Sequence, residues 1–376
     1  MEERGVRKQG EKRYCVTGST GYIASWLVNS LLRSNCYVHA TVRDPASTWL
    51  PQKQPDFSFG ASKYLHLSKL WGSHDRLSIF QADLLEEGSF DEAVKGCIGV
   101  FHVAAPMQFS VLETENTDSY VQSKIIEPAV KGTLNVLKAC VKSKSVKKVV
   151  FTSSISTLTA KGTDGNWKVV VDESCQTPID HVWNTKARGW VYALLKLSTE
   201  NAAFQFAYDK GIDLVSVITT TVAGPFLTSN IPSSIQVLLS PLTGDPDFFP
   251  ILSAVNSRMG SIAVVHIEDV CNAHIFLMEH SKSEGRYICC TQSCELSDLV
   301  HRLAKVYPCP NIQRLMTDDQ QPAPCEISSK KLKDLGFSYK FDMQDIMHQT
   351  VDLCVDHGFL QPICKGLANF MPSRTK

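Results

Sequence analysis

Arg13-Tyr14-Cys15-Val16-Thr17-Gly18-Ser19-Thr20-Gly21-Tyr22-Ile23-Ala24 passes from a short apolar run, through a turn of small residues, into an apolar stretch of helical period. Small residues where a strand becomes a helix suit a pyrophosphate. Gly18 and Gly21 let the backbone turn and come close, Ala24 lets the helix pack tightly, and the free amides of the first helical turn face the negative charge. Ser19, Thr20, Tyr22 and Ile23 complete the stretch expected along a bound dinucleotide. A glycine pair alone is an ordinary βα turn. Strand, spacing and helix together predict a Rossmann-type, doubly wound parallel α/β sheet.

Further along, the ends of the expected strands supply the rest of a nucleotide site. The second strand ends in Thr41-Val42-Arg43-Asp44, where an NAD-preferring site usually offers a carboxylate first. Here the cation comes first, and Arg43 is suited to a charge-assisted pair with a 2′-phosphate, so NADPH/NADP+ is expected over NADH; Asp44 next door could instead turn to a ribose. Asp83-Leu84 follows the third strand and can border an adenine, and Val103-Ala104-Ala105 follows the fourth and lets a nicotinamide lie near the backbone.

Strands are expected at Arg13–Thr17, Tyr37–Arg43, Leu77–Gln81, Gly99–Val103, Lys148–Ser153 and Leu214–Ile218, with helices between them at Ser25–Arg33, Ser89–Val94, Tyr120–Ser143 and Asn184–Lys210. Asp44–Asp75 reads as a long insertion or loop. After Gly224-Pro225 the alternation loosens into loops through Gly260, followed by short elements at Ser261–Val265 and Arg286–Cys290 and a helix near Met343–Val355. The division expected is a tail over residues 1–12, a nucleotide-binding domain over 13–224, and a smaller, mainly substrate-binding region over 225–376 whose late elements return to the core.

A chain of 376 residues, 43% hydrophobic and 20% charged, can bury a large core, which excludes disordered and fibrous classes. Its 38 basic and 38 acidic residues cancel without a long run of one sign, so no nucleic-acid footprint is expected and a small molecule is the expected partner. No window reaches the ~18 apolar residues of a membrane span. The charged N-terminus reads as neither a signal nor an anchor. Thirteen scattered cysteines without a CxxC read as reduced thiols in a cytoplasmic protein. Oligomeric state is left open.

The candidate catalytic group is Ser154, Tyr192 and Lys196. A tyrosine and a lysine four residues apart share a helix face. With ten tyrosines, roughly one Tyr-xxx-basic pair arises by chance, and this chain has two, Tyr120/Lys124 and Tyr192/Lys196. Only the second follows a strand ending in serine, Val149-Val150-Phe151-Thr152-Ser153-Ser154, so that hydroxyl, phenol and ammonium can converge on one carbonyl; the first pair reads as structural. An adjacent Lys196 ammonium, together with an oxidised nicotinamide, is expected to lower the Tyr192 pKa and make it a usable proton donor. Ser153 rivals Ser154, since adjacent strand residues point oppositely. His266 and Asp269 suggest a metal or relay but lack further ligands, and they read as a strand-to-helix junction; no metal is expected.

With these residues in hand, the chain resembles the extended short-chain dehydrogenase/reductases, and within them the plant dihydroflavonol 4-reductase and anthocyanidin reductase branch. The resemblance covers nearly the whole length. It includes Val150-Phe151-Thr152-Ser153-Ser154, Val171-Asp172-Glu173, Gly224-Pro225-Phe226, His266-Ile267-Glu268-Asp269-Val270, Gly285-Arg286-Tyr287-Ile288-Cys289 and Ile327-Ser328-Ser329-Lys330-Lys331-Leu332. Pro232-Ser233-Ser234-Ile235 and Ser261-Ile262-Ala263-Val264-Val265 lean toward anthocyanidin reductase. The resemblance implies an NADPH-dependent reductase of a carbonyl or flavylium-type substrate and selects the second serine, Ser154. It also implies a cofactor role for the segment holding Thr219, where the family usually has proline, and Val222. Met107, Gln108, Thr159 and Phe226 are the candidates for the substrate wall, and Ala129 stands where many relatives carry a relay asparagine. Three rivals remain: a reductase of a non-flavonoid ketone or aldehyde, a nucleotide-sugar epimerase or dehydratase, and a non-catalytic NADP(H) sensor.

Overall fold

Parallel strands buried on both faces need near-continuous apolar sequence, and Lys148-Val149-Val150-Phe151-Thr152-Ser153-Ser154 is buried at every position. In the computed structural model, which describes residues 11–43, 65–105, 117–162, 165–308 and 325–362, this strand lies in the interior of a seven-stranded sheet. The strands are β1 (Arg13–Val16), β2 (Tyr37–Val42), β3 (Leu77–Gln81), β4 (Gly99–His102), β5 (Lys148–Ser154), β6 (Val170–Val171), β7 (Asp213–Thr219), β8 (Thr221–Ala223), β9 (Ile262–His266), β10 (Gly285–Cys289), β11 (Gln292–Cys294) and β12 (Glu326–Ile327). The main sheet runs β10-β7-β5-β4-β1-β2-β3, with every pairing parallel. Strand order reverses between β1 and β4, so a crevice opens there at the carboxyl ends. β8, β9 and β11 form a second, mixed sheet, and β6 pairs with β12.

The longer helices are α1 (Tyr22–Arg33), α2 (Glu127–Ser143), α3 (Ile179–Thr185), α4 (Trp190–Lys210), α5 (Ser233–Thr243), α6 (Phe249–Met259), α7 (Ile267–Glu279), α8 (Leu296–Val306) and α9 (Met343–Asp356). Leu27, Leu31 and Leu32 of α1 share a core with Val270, Cys271 and Leu277 of α7. Each such leucine contributes about 1.5–3 kcal/mol by leaving water. A separate core gathers Ile235, Leu238, Leu239, Leu252, Leu299, Leu303, Ile346 and Met347 from α5, α6, α8 and α9.

Several expectations need correction. The helix expected over Asn184–Lys210 is two, because Lys186 (φ +42) and Gly189 (φ +80) take left-handed backbone that ends α3 and restarts the chain as α4. The helix expected over Tyr120–Ser143 starts at Thr117 and passes through a π-helical turn at Gln122–Ile126, which sets Pro128 in the first turn of α2, where proline is tolerated. The loops expected through Gly260 contain α5 and α6; Pro232 N-caps α5, Pro250 sits at the start of α6 and Pro241 lies inside α5, so the prolines that suggested loops partly mark helix ends. Within the expected insertion, short helices occupy Leu65–Ser68 and Ser73–Arg76, while 44–64 and the expected tail over 1–10 lie outside the described residues.

Candidate active site

β1 and β4 deliver the glycine loop and Val103-Ala104-Ala105 to the same crevice. Gly18 has φ +67, and a Cβ there would lie 3.0 Å from both Cα and Cβ of Ala104, so backbone and neighbour together demand glycine. Thr17 fastens the two loops: its Oγ1 accepts from the amides of Val103 and Ala104 at 3.1 and 3.0 Å and lies 3.0 Å from Nδ1 of His102. Burial pushes the His102 pKa down to about 3, so its ring is neutral. Thr17 therefore donates its own proton to Nδ1, and Nε2–H donates to Thr133 Oγ1 at 3.3 Å. No local pattern marks Thr17, His102 and Thr133, because their meeting depends on β1 lying beside β4.

α1 opens with no side chain capping its first turn and no acid in it. The amides of Tyr22, Ile23 and Ala24 are thereby left to an anion. Ser19 behaves differently from the expectation: its amide donates to Thr41 O (3.0 Å) and its hydroxyl to Val16 O (2.9 Å), so it anchors the loop from inside and does not line the crevice.

These elements border a cavity of about 1010 Å³. Gly18, Thr20, Gly21, Tyr22, Ile23, Arg43, Asp83, Leu84, Val103, Ala104, Ala105, Thr219 and Val222 line it, together with Ser154, Tyr192 and Lys196. The glycine cradle, uncapped helix start and cation at the end of β2 fit a dinucleotide diphosphate with a 2′-phosphate. Thr219 Oγ1 donates to Ser153 O at 3.2 Å, tying β7 to β5 where the resemblance expects proline.

The catalytic candidates converge because β5 ends at Ser154 and α4 begins at Trp190, which sets Tyr192 in the first turn of α4 and Lys196 one turn later. Ser154 and Tyr192 are hydrogen-bonded through their side chains, whereas Ser153 Oγ is buried without a partner. Lys196 Nζ donates to Thr152 O at 2.9 Å and stands 5.9 Å from the Tyr192 ring centroid. Thr152 is braced in turn: His274 Nδ1–H donates to Val270 O (2.7 Å), leaving Nε2 to accept from Thr152 Oγ1 at 2.9 Å.

Burial pushes Tyr192 up to about 12, against a smaller lowering by Ser154, and pushes Lys196 down to about 8, opposed by the Glu200 carboxylate. In the chain's own surroundings desolvation dominates the Tyr192 phenol; the lowering expected from Lys196 together with an oxidised nicotinamide belongs to the cofactor-loaded site. Glu200, one further turn along α4, is buried and paired with Arg286 at 3.0 Å, and it accepts from Ser216.

The substrate wall departs most from expectation. Phe226 is buried in the α5–α9 core and packs 4.7 Å from the His357 ring, away from the cavity. Thr159 is also buried off the cavity, its amide bonded to Cys175 O and its hydroxyl accepting from Lys161 N. Met107 and Gln108 lie outside the described residues. Ser156, residues 228–234, Val237, Ile251, Val255 and Arg258 line the cavity instead. Of the two Tyr-xxx-Lys pairs, Tyr120 is 53% exposed, while Lys124 borders the cavity with Ala129.

His266 caps α7, its Nδ1 accepting from Glu268 N at 3.2 Å, and stacks on Phe341. Gly224, at φ +111, passes so close that a Cβ would meet His266 Nε2 at 2.7 Å. Asp269 accepts from the amides of Lys340 and Phe341. Among the described residues no cluster of metal-ligating side chains occurs.

Residues 14–290 match the NAD dependent epimerase/dehydratase family. The chain is 39% identical over 352 residues to an anthocyanidin reductase ((2S)-flavan-3-ol-forming) of Vitis vinifera, spanning 94% of this chain and 98% of the relative. It is 38% identical over 363 residues to a dihydroflavonol 4-reductase of Arabidopsis thaliana, spanning 96% and 87%. Among solved structures, vestitone reductase from alfalfa (Medicago sativa) superposes with a TM-score of 0.73 at 31% identity, across 93% of this chain and 100% of that one.

Proposed function

The chain belongs to the NAD dependent epimerase/dehydratase family and is an oxidoreductase; we propose that it is an NADPH-dependent reductase acting on a carbonyl or flavylium-type carbon of a small, flavonoid-like molecule of plant specialised metabolism, with Ser154, Tyr192 and Lys196 as its catalytic residues. One observation carries the reading: the hydrogen-bonded Ser154–Tyr192 pair and Lys196 line the same cavity as the glycine loop. We assign residues 13–224 to the nucleotide and the chain from 225 mainly to the substrate. The flavonoid-like skeleton rests on the activities for which the similar proteins are named.

A bound nicotinamide supplies the hydride. Ser154 and Tyr192 hydrogen-bond the substrate oxygen as charge gathers on it, and Tyr192 delivers its proton there. With its pKa near 12 the phenol keeps that proton at neutral pH, and the Lys196 ammonium, held by Thr152 O, stabilises the phenolate left behind. Arg43 supports the choice of NADPH. No helix among the described residues is long and apolar enough to cross a membrane, and the described cysteines are free and buried or half-buried, which fits a reducing, cytoplasmic setting.

The test follows NADPH and NADH consumption with cyanidin, dihydroquercetin and a panel of aromatic and terpenoid ketones, with Tyr192→Phe beside the parent protein. Turnover with NADPH that vanishes in the variant is expected. Equal turnover in parent and variant, or silence across the panel with NADPH bound, overturns the assignment.

A further inference from the structure

Arg258 lies in the last turn of α6, and its carbonyl accepts from Ala160 N at 3.3 Å, which ties α6 to the segment just beyond Ser154. Its side chain borders the same cavity as Ser154 and Tyr192. Among the described residues its guanidinium makes no ion pair, and Nε is sealed from solvent without a hydrogen-bond partner. Burial lowers its pKa to about 10. A cation in the last turn of a helix meets the negative end of the dipole, which accounts for a charge at this position. It does not account for the sealed Nε of a half-buried guanidinium left without an acceptor, since a desolvated donor with no partner is costly.

Among the described residues the surroundings do not supply that acceptor. Arg43, Lys124, Arg188, Lys196 and Arg258 line the cavity, against Asp83 as the one carboxylate among the described lining residues. Asp83 follows β3 at the far edge of the main sheet and accepts from Leu85 N. The cofactor phosphates fit the glycine loop and α1, on the β1 side, whereas Arg258, at the end of α6, is tied to the segment beyond β5. Ser156 Oγ, also on the cavity, is likewise buried without a partner.

We propose that Arg258, with Ser156 on the lining of the same cavity, forms a subsite for an anionic pair of acceptor oxygens on the substrate, a carboxylate in its simplest form, remote from the carbon that is reduced. This rests on the reductase reading and narrows its substrate class: an aromatic carbonyl compound bearing an acid group, which Arg258 receives in a forked hydrogen bond. The α5–α6 wall around it, with Val237, Ile251 and Val255, offers apolar surface to the ring system.

The experiment measures binding to the NADP+-loaded protein of benzoate, 4-hydroxycinnamate and a two-ring aryl carboxylate, each against its own carboxamide. The parent is expected to prefer at least one carboxylate by about tenfold or more. Arg258→Gln is expected to erase the preference, Arg258→Lys to keep part of it, and both to leave NADP+ affinity unchanged. Arg258→Met is expected to melt at the same or a higher temperature, because it removes a half-buried cation whose sealed Nε has no acceptor. No preference in the parent, a preference that survives in Arg258→Gln, or loss of folding in Arg258→Met with recovery in Arg258→Lys overturns the proposal. Binding is read apart from turnover, so a carboxylate preference in a protein that reduces no carbonyl would sink the reductase reading and leave the subsite standing.

Discussion

The two walls of the cavity are held in opposite ways. Around the glycine loop, backbone amides, Thr17, His102 and a left-handed Gly18 join β1 to β4 by short polar contacts. Around α5 and α6, packing of Leu238, Leu239 and Leu252 positions a largely apolar surface that carries Arg258, whose Nε has no partner among the described residues. A diphosphate has one shape, and backbone geometry is enough to meet it. A particular carbon skeleton must be met by side chains, whose placement follows from how whole helices pack.

The largest effect that tests this division is Tyr192→Phe. It should lower kcat/KM by on the order of 10²–10⁴ while NADPH affinity, measured by fluorescence titration, holds; a collapse of that affinity would break the comparison, since Tyr192 would then belong to the holding wall.

Acid should loosen the polar wall first. Burial lowers His102 to about 3 and His274 to about 4, so below the ordinary value near 6.5 the unfolded chain binds protons that the folded chain refuses. Stability from these two groups is complete above about 6.5 and falls as pH drops toward 4, by up to about 1.4 kcal/mol per pH unit for each. Hydrogen exchange at pH 5 should show β4 and β5 losing protection before α5 and α6; the reverse order would contradict the picture.

A smaller effect is expected from Arg43→Ala, which should cut the NADPH-over-NADH preference by about 10–100-fold, the loss of a charge-assisted hydrogen bond. An unchanged preference would remove Arg43 from the site. Smallest is Gly18→Ala, expected to cost about 1–2 kcal/mol from the left-handed backbone, read as a lower denaturation midpoint together with weaker NADPH binding and unchanged folding of α5.

The sequence is legible where function is local. Gly18 to Ala24, and the strand-then-helix order that separates Tyr192/Lys196 from Tyr120/Lys124, can be read because a loop's ligand and a helix face are set within one element or by chain order. The substrate wall is not legible in this way. Phe226 and Thr159 are the kinds of residue that touch substrates, yet both are buried elsewhere, and α5 and α6 hide behind Pro232, Pro241 and Pro250.

By itself, then, the sequence determines the parallel sheet and the nucleotide loop and points to the proposed tyrosine and lysine, since these follow from local pattern and chain order, while the choice of Ser154 over Ser153 rests on family resemblance. Tertiary structure alone decides that Thr17 meets His102, that burial sets Lys196 near 8 and Tyr192 near 12, and that Arg258 reaches the cavity without a counter-ion among the described residues. Desolvation and pairing depend on which distant segments crowd around a group, and one-dimensional spacing carries no record of that crowding.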